Sequence, residues 1–313
     1  MADHALSHFL VPARKLPLAD HRVRAEPARG LTGQRPLSLV NPEIMKRSQH
    51  VRIARIKTGE VVAYAVAEGN AYELIEGDIF GSWKTTHRKV PQSEAKLLAP
   101  VCPPQIVAIG LNYRGHAAES GMAIPEAPLL FIKTCNAVVG PGQPILLPKM
   151  APDEVDYECE LVIVIGKRAK NVTKEQAADH ILGYTCGNDV SARDCQLRHD
   201  KQWARGKCFD TFAPIGPWIE TDPGDPDNLD IGLKLNGETM QSSNTSDLVF
   251  SCAELVSYIS QCMTLEPSSI IMSGTPAGVG FTRKPPLFLR EGDTVTVEIQ
   301  GIGQLTNPVA KEE

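Results

Sequence analysis

The sequence predicts an α+β fold with a mixed, rolled β-sandwich core and a small N-terminal β meander. Three observations point there. Apolar runs of strand length outnumber stretches with helical spacing, and they do not alternate with helices as a regular βαβ array would. Several runs alternate with period two and end in glycine-rich turns. Helix starts are few: Thr173-x-x-Gln176 and Ser251-x-x-Glu254 have the capping-box form, and Ser191-Ala192-Arg193-Asp194 offers a third.

Residues 1–50 have no sustained periodicity and are punctuated by Pro12, Pro17, Pro27, Pro36 and Pro42. They are expected to form an extension draped over the surface or partly disordered. Residues 51–98 are expected to form the small β domain. Val51–Ile56 alternates with period two, turns at Lys57-Thr58-Gly59-Glu60, continues as Val61–Val66 and turns again at Glu68-Gly69-Asn70. The polar stretch from Gly81 to Ala99 is expected to link this meander to the main body, residues 99–313. In that body the predicted strands are Asp156–Gly166, whose apolar run is Leu161–Ile165, then Ile181–Asn188, Ile270–Met272, Thr294–Ile299 and a final one ending at Val309, with a turn at Gly301-Ile302-Gly303. The helix after Ser251 places Leu255, Val256 and Ile259 on one face, as core packing requires.

Totals narrow the function classes. A net charge of −5 and a pI near 5.9 argue against nucleic acid or an anionic membrane as partner. The longest apolar run, Leu161–Ile165, is far too short to cross a bilayer. Eight scattered cysteines without a C-x-x-C pair suit reduced thiols rather than a disulfide framework or a cysteine-built zinc site. The first residues lack a secretory apolar core. Their basic residues are diluted by Asp3, Asp20 and Glu26, so cytoplasm is favoured over import into the mitochondrial matrix.

The chemistry concentrates in Asp156-Tyr157-Glu158-Cys159-Glu160-Leu161. On a strand, Asp156, Glu158 and Glu160 point to one side, with the two glutamates roughly 7 Å apart at Cα. Either this end of the strand faces water, or a hard divalent cation with oxygen ligands offsets the repulsion. Asp189, after Ile181–Asn188, is a turn residue or local cap unless its strand neighbours the one carrying Glu158 and Glu160. In that case three carboxylates converge with positions left for water or substrate. Arg193 and Gln196, three apart, and Lys207, in a segment without helical spacing, are either solvated surface or binders of an anionic substrate. His116 and Glu119, also three apart, form either a surface helix pair or a general-base dyad. Gly274-Thr275-Pro276-Ala277-Gly278-Val279-Gly280 follows a strand and suits an anion nest. It is neither a Walker A loop nor the opening of a Rossmann helix.

Taken together, Asp156-Tyr157-Glu158-x-Glu160-Leu161, Asn188-Asp189-Val190-Ser191-Ala192-Arg193-Asp194-x-Gln196, Gly206-Lys207-x-Phe209-Asp210-Thr211, Gly274-Thr275-Pro276 and Asn112-Tyr113-x-x-His116-x-x-Glu119 resemble the fumarylacetoacetate hydrolase superfamily. The likeness runs from about Ala99 to Val309. Gln241-Ser242-Ser243-Asn244-Thr245 and Arg283–Leu289 resemble the domain-containing protein 2 group within it. The resemblance implies Glu158, Glu160 and Asp189 as ligands of Mg²⁺, with Mn²⁺ or Ca²⁺ as alternatives. It implies His116 with Glu119 as acid/base dyad on a lid, and Lys207, Arg193, Gln196 and Thr275 lining the substrate pocket. It further implies a homodimer acting on small 2-oxo acids. Many members have Lys-Pro where this chain has Lys133-Thr134, so no role is assigned to Lys133. In the expected chemistry the substrate's 1-carboxylate and 2-oxo oxygens chelate the metal, which eases enolate formation while His116 moves a proton. The subgroup likeness favours oxaloacetate keto–enol tautomerisation. C–C hydrolysis of acylpyruvate type, oxaloacetate decarboxylation and a degenerate, non-enzymatic metal-binding module are the alternatives.

Overall fold

The computed structural model describes residues 50–313, so the N-terminal extension, His50 apart, and the basic residues weighed for import lie outside the described residues. Four antiparallel strands come first: β1 (Arg52–Thr58), β2 (Val61–Glu68), β3 (Ala71–Gly77) and β4 (Trp83–Pro91). The fourth lies in the stretch expected to be a linker. Most of its residues are exposed or half-buried, so neither face carries the apolar alternation by which a strand is read. The short β5 (Lys96–Leu97) pairs with β1.

The body then contributes β6 (Ile106–Gly110), α1 (Arg114–Glu119), β7 (Leu129–Lys133), β8 (Val138–Val139), β9 (Ile145–Leu147), β10 (Val155–Asp156) and β11 (Cys159–Ile165). After these come β12 (Ile181–Asn188), β13 (Ser191–Ala192), the four-residue α2 (Ala204–Lys207) and β14 (Ala213–Glu220). β15 (Asp230–Leu235), β16 (Glu238–Asn244), α3 (Cys252–Cys262), β17 (Ile270–Met272), β18 (Thr294–Ile299) and β19 (Gly303–Lys311) complete the chain.

The main sheet runs β4-β3-β2-β1-β14-β12-β11-β17-β6-β7, and a five-stranded sheet runs β16-β15-β18-β19-β9. The meander extends the main sheet through β1, which pairs with β14. β11 lies deep inside: Leu161, Ile163 and Ile165 join Leu233, Val297 and Leu305 of the second sheet and Leu255, Val256 and Ile259 of α3 in one apolar core. Val162 and Val164 point the other way, into a core shared with Ile53, Ile106, Ile219 and Met272. Burial on both faces explains why this strand reads as a continuous apolar run.

Two helix expectations need correction. Ser251 and Glu254 do form the reciprocal capping box of α3. At Thr173, by contrast, Gln176 bonds back to the Thr173 N–H but only a 3₁₀ turn, Ala177–His180, follows. Ser191 starts no helix: Ser191–Ala192 pairs as β13 with β10, and the chain enters a π-helical segment, Cys195–His199, capped by Asp194. Lys207 ends a short helix where the sequence has no helical spacing.

Candidate active site

β11 and β12 are antiparallel neighbours with Cys159 opposite Asn188 and Glu160 opposite Gly187. The pairing continues past the strand ends, where the Glu158 N–H donates to Asn188 Oδ1 (2.9 Å) and the Asp189 N–H to the Glu158 carbonyl (2.9 Å). This register brings the carboxylates of Glu158, Glu160 and Asp189 together, one oxygen of each within 4.8 Å of the others, all buried. Asp156 does not join them. The strand is interrupted between β10 and β11, and Asp156 instead accepts from the Gly280 and Phe281 N–H groups (2.8 and 3.0 Å) and from Arg193 Nε (2.8 Å). Simple alternation along an unbroken strand therefore fails at this residue.

Three buried cations face these acids. Lys207 Nζ lies 2.9 Å from Glu158 Oε2 and 2.6 Å from Asp189 Oδ2. Gly206 lets α2 approach closely enough to deliver it, since a Cβ there would sit 2.8 Å from the Ala192 carbonyl. Lys133, at the end of β7, contacts Asp189 Oδ1 at 2.5 Å and is fully buried. Arg193 spans Asp156 and Glu158 (2.6 Å to Oε1), donates to Gln196 Oε1 (2.8 Å) and stacks 4.4 Å from the Phe281 ring centre.

Glu160 stands apart. Among the described residues it forms no ion pair, and its carboxylate accepts the Gly274 N–H (2.9 Å). Burial, then the negative charges of Asp189 and Glu158, push its carboxyl well above the usual range. At Glu158 burial acts the same way, but Lys207, Arg193 and His116 outweigh it and hold the carboxyl below that range. At Lys207 burial is likewise outweighed, by Asp189 and Glu158, so the ammonium is favoured. Lys133 is pulled down by burial against the attraction of Asp189. Among the described residues, four buried carboxylates face three cations, with Glu160 as the uncompensated member, and this fits one hard divalent ion with oxygen ligands. Asp194, Cys195 and His199 form a second group close enough to share an ion, but a thiolate and an imidazole suit a softer metal.

The dyad forms on α1. His116 Nδ1 lies 2.7 Å from Glu119 Oε1, and both side chains are largely buried. Glu119 Oε2 accepts from the Gly278 N–H (2.9 Å) and the Thr282 hydroxyl (3.1 Å). Burial opposes ionisation of Glu119, yet His116 and the Gly278 N–H bring its carboxyl below the usual value. An ionised Glu119 accepts a hydrogen bond from Nδ1–H of His116, which leaves Nε2 as the ring atom able to exchange a proton with a substrate. Asn112 fixes the approach to α1 by donating to the Ser273 carbonyl (2.7 Å) and accepting the Phe250 N–H (2.9 Å). The anion nest expected at Gly274–Gly280 is thus filled by the chain's own carboxylates: Glu160, Glu119 and Asp156.

Thr275, beside Glu160's backbone donor, is buried and accepts from Gln241 Nε2 (2.8 Å). Sequence reasoning missed two residues here. Lys133 reads as the polar end of an apolar strand, and Gln241 as one polar residue in a polar strand; the burial of each marks it out in the structure. The family's Lys-Pro pattern was the available signal for the first.

Comparison with known proteins identifies the family. Residues 105–310 match the family model "Fumarylacetoacetate (FAA) hydrolase C-terminal", and residues 51–100 match "Rv2993c-like, N-terminal". The chain is 50% identical over 235 residues to the fumarylacetoacetate hydrolase domain-containing protein 2 homolog of Dictyostelium discoideum, covering 71% of this chain and 77% of that protein. It is 48% identical over 224 residues to oxaloacetate tautomerase FAHD2A, mitochondrial, of Bos taurus, covering 70% and 71%. The crystal structure of 5-carboxymethyl-2-hydroxymuconate delta-isomerase from Mycobacterium smegmatis superposes with a TM-score of 0.75 at 43% identity, over 83% of this chain and all of that one. The chain belongs to the fumarylacetoacetate hydrolase family.

Proposed function

We propose that this protein is a metal-dependent oxaloacetate keto–enol tautomerase. The observation that carries the reading is the buried Glu158–Glu160–Asp189 cluster with one carboxylate left uncompensated, together with the ordered His116–Glu119 pair. The tautomerase name of the Bos taurus relative and the isomerase title of the Mycobacterium smegmatis structure support the reaction class.

Glu158, Glu160 and Asp189 would hold Mg²⁺, which when bound supplies Lewis acidity toward the 2-oxo and 1-carboxylate oxygens. Mn²⁺ and Ca²⁺ fit the same oxygen donors. His116 Nε2 removes a proton from C3 of the keto form. The same imidazolium returns a proton to the C2 oxygen, so keto becomes enol with no net gain or loss. Glu119 keeps the ring oriented and stabilises its charged form between the two transfers. Lys207 keeps Glu158 ionised, pairs with Asp189 and adds positive charge beside the developing oxyanion. Arg193, Gln196 and Thr275 orient the substrate carboxylates. Burial of these groups excludes bulk water from the proton transfer.

A homodimer, implied by the family, belongs to the same proposal, with sedimentation velocity as its measurement. The mitochondrial designation of the Bos taurus relative supports a mitochondrial location over the cytoplasm. None of the described helices is long and apolar enough to cross a membrane.

One assay separates the reactions. Purified protein with Mg²⁺ is incubated with oxaloacetate and, separately, with acetylpyruvate, while enol absorbance, pyruvate and acetate are followed. Accelerated enol–keto exchange without pyruvate supports the tautomerase. Acetate release without faster enol decay overturns it in favour of C–C hydrolysis, and pyruvate from oxaloacetate points to decarboxylation.

A further inference from the structure

We infer that Gln241 is a positioning residue that compels the Thr275 hydroxyl to act as a donor, so that position 275 takes an acceptor-only group such as an ionised substrate carboxylate. This rests on the reading above that Thr275 lines the substrate pocket.

Gln241 sits on β16 in the second sheet and is 1% exposed. Its Oε1 accepts the Cys159 N–H (2.9 Å), from the residue between Glu158 and Glu160. Its Nε2 reaches the Pro276 carbonyl (2.8 Å) and Thr275 Oγ1 (2.8 Å). A backbone N–H cannot accept and a backbone carbonyl cannot donate, so the amide has only one orientation. Its two amide protons are then divided between Pro276 and Thr275. Thr275 Oγ1 is therefore an acceptor toward Gln241, and its single proton is free to point elsewhere. Among the described residues no acceptor takes that proton, although Thr275 is 3% exposed. A buried donor left without a partner is costly, and a carboxylate oxygen seated there supplies what is missing. A substrate hydroxyl or amine that had only a proton to offer would face another proton. The second sheet thus sets the hydrogen-bond polarity of one pocket wall through a single side chain.

The test is a double-mutant cycle at saturating Mg²⁺. Gln241→Glu keeps the acceptor for Cys159 but puts an acceptor opposite Thr275, which turns the hydroxyl inward. KM for oxaloacetate should rise about tenfold or more, with a smaller change in kcat. Thr275→Val should raise KM by a similar factor, Thr275→Ser should largely restore it, and Gln241→Glu should add almost nothing in the Thr275→Val background. An equal effect of Gln241→Glu in both backgrounds overturns the inference, because the residue would then act through charge or folding alone. If Gln241→Glu does not fold, Gln241→Met enters the same cycle with the same expectation. No change on Thr275→Val also overturns it. If the wild type fails to turn over oxaloacetate, the tautomerase reading fails, and the cycle is scored instead on calorimetric binding of oxalate, an acceptor-only dianion.

Discussion

β11 and its entry hold two neighbourhoods that are equally buried and chemically opposite. From Leu161 to Ile165 every side chain is inaccessible and apolar, and each contributes about 1.5–3 kcal/mol simply by leaving water. Just before this run, Glu158 and Glu160 are also buried, and each ion is disfavoured there by several kcal/mol unless partners replace its hydration. Glu158 has Lys207, Arg193 and Ser191 around it. Among the described residues, Glu160 has one backbone N–H. The apolar half stabilises the fold with no further help, whereas the acidic half is a stored electrostatic demand that a divalent cation meets. One strand thus carries both the core and the site, and the first supplies the rigidity that the second needs.

The largest expected effect comes from removing that demand. Glu160→Gln should lower kcat/KM for oxaloacetate by at least about a hundredfold at fixed Mg²⁺, because a ligand and its charge are both lost. The metal-free variant should be at least as resistant to urea as the metal-free wild type. Lower stability of the variant without metal would break the contrast between the two halves.

Next, Arg193→Met should cost about 3–5 kcal/mol in urea unfolding, since Asp156 and Glu158 would be left buried without a shared counter-charge. A loss below about 1 kcal/mol would mean that the acidic end is wetter than its burial indicates.

In the apolar half, Ile163→Val should cost about 0.5–1.5 kcal/mol with catalysis intact. A large change in kcat would show that packing and chemistry are not separable along this strand.

The smallest effect is in pH. Glu160 has a folded-state pKa above its unfolded value, so its contribution to metal-free stability is complete below about pH 4.3 and declines as pH rises through the folded value. Mg²⁺ removes that penalty where the carboxylate is ionised. The rise in Tm on adding Mg²⁺ should therefore be larger at pH 8 than at pH 5, as scanning calorimetry can measure. A shift that is flat or reversed with pH would assign the uncompensated charge to another group.

Much of this could be read before any coordinates. The apolar run of β11 and the Ser251 capping box are local patterns, and local physics produced them. Glu158, Glu160, Asp189, His116, Glu119 and Lys207 were visible because their residue types are costly to bury and recur with fixed neighbours. What escaped depended on contacts remote in sequence. Asp156 has the same alternation as the two glutamates, yet the Gly280–Phe281 backbone diverts it. Ser191–Ala192 has a helix-start signature that loses to pairing with Val155–Asp156. β4 shows no pattern because water touches much of both faces. Lys133 and Gln241 gain a place in the site once their burial and partners are known.

The Gly274–Gly280 loop has little tolerance for change in length. Its amides clasp a carboxylate from each of three working parts, Glu160 beside the cation cluster, Glu119 of the dyad and Asp156 that anchors Arg193. Gly274 cannot be widened, because its φ is +103° and a Cβ would meet Asn112 Cβ at 2.8 Å. A one-residue insertion between Gly274 and Gly280 would shift all three parts out of step at once. Unlike most surface connections, this one behaves as a common rail to which ligand, base and guanidinium are all clamped.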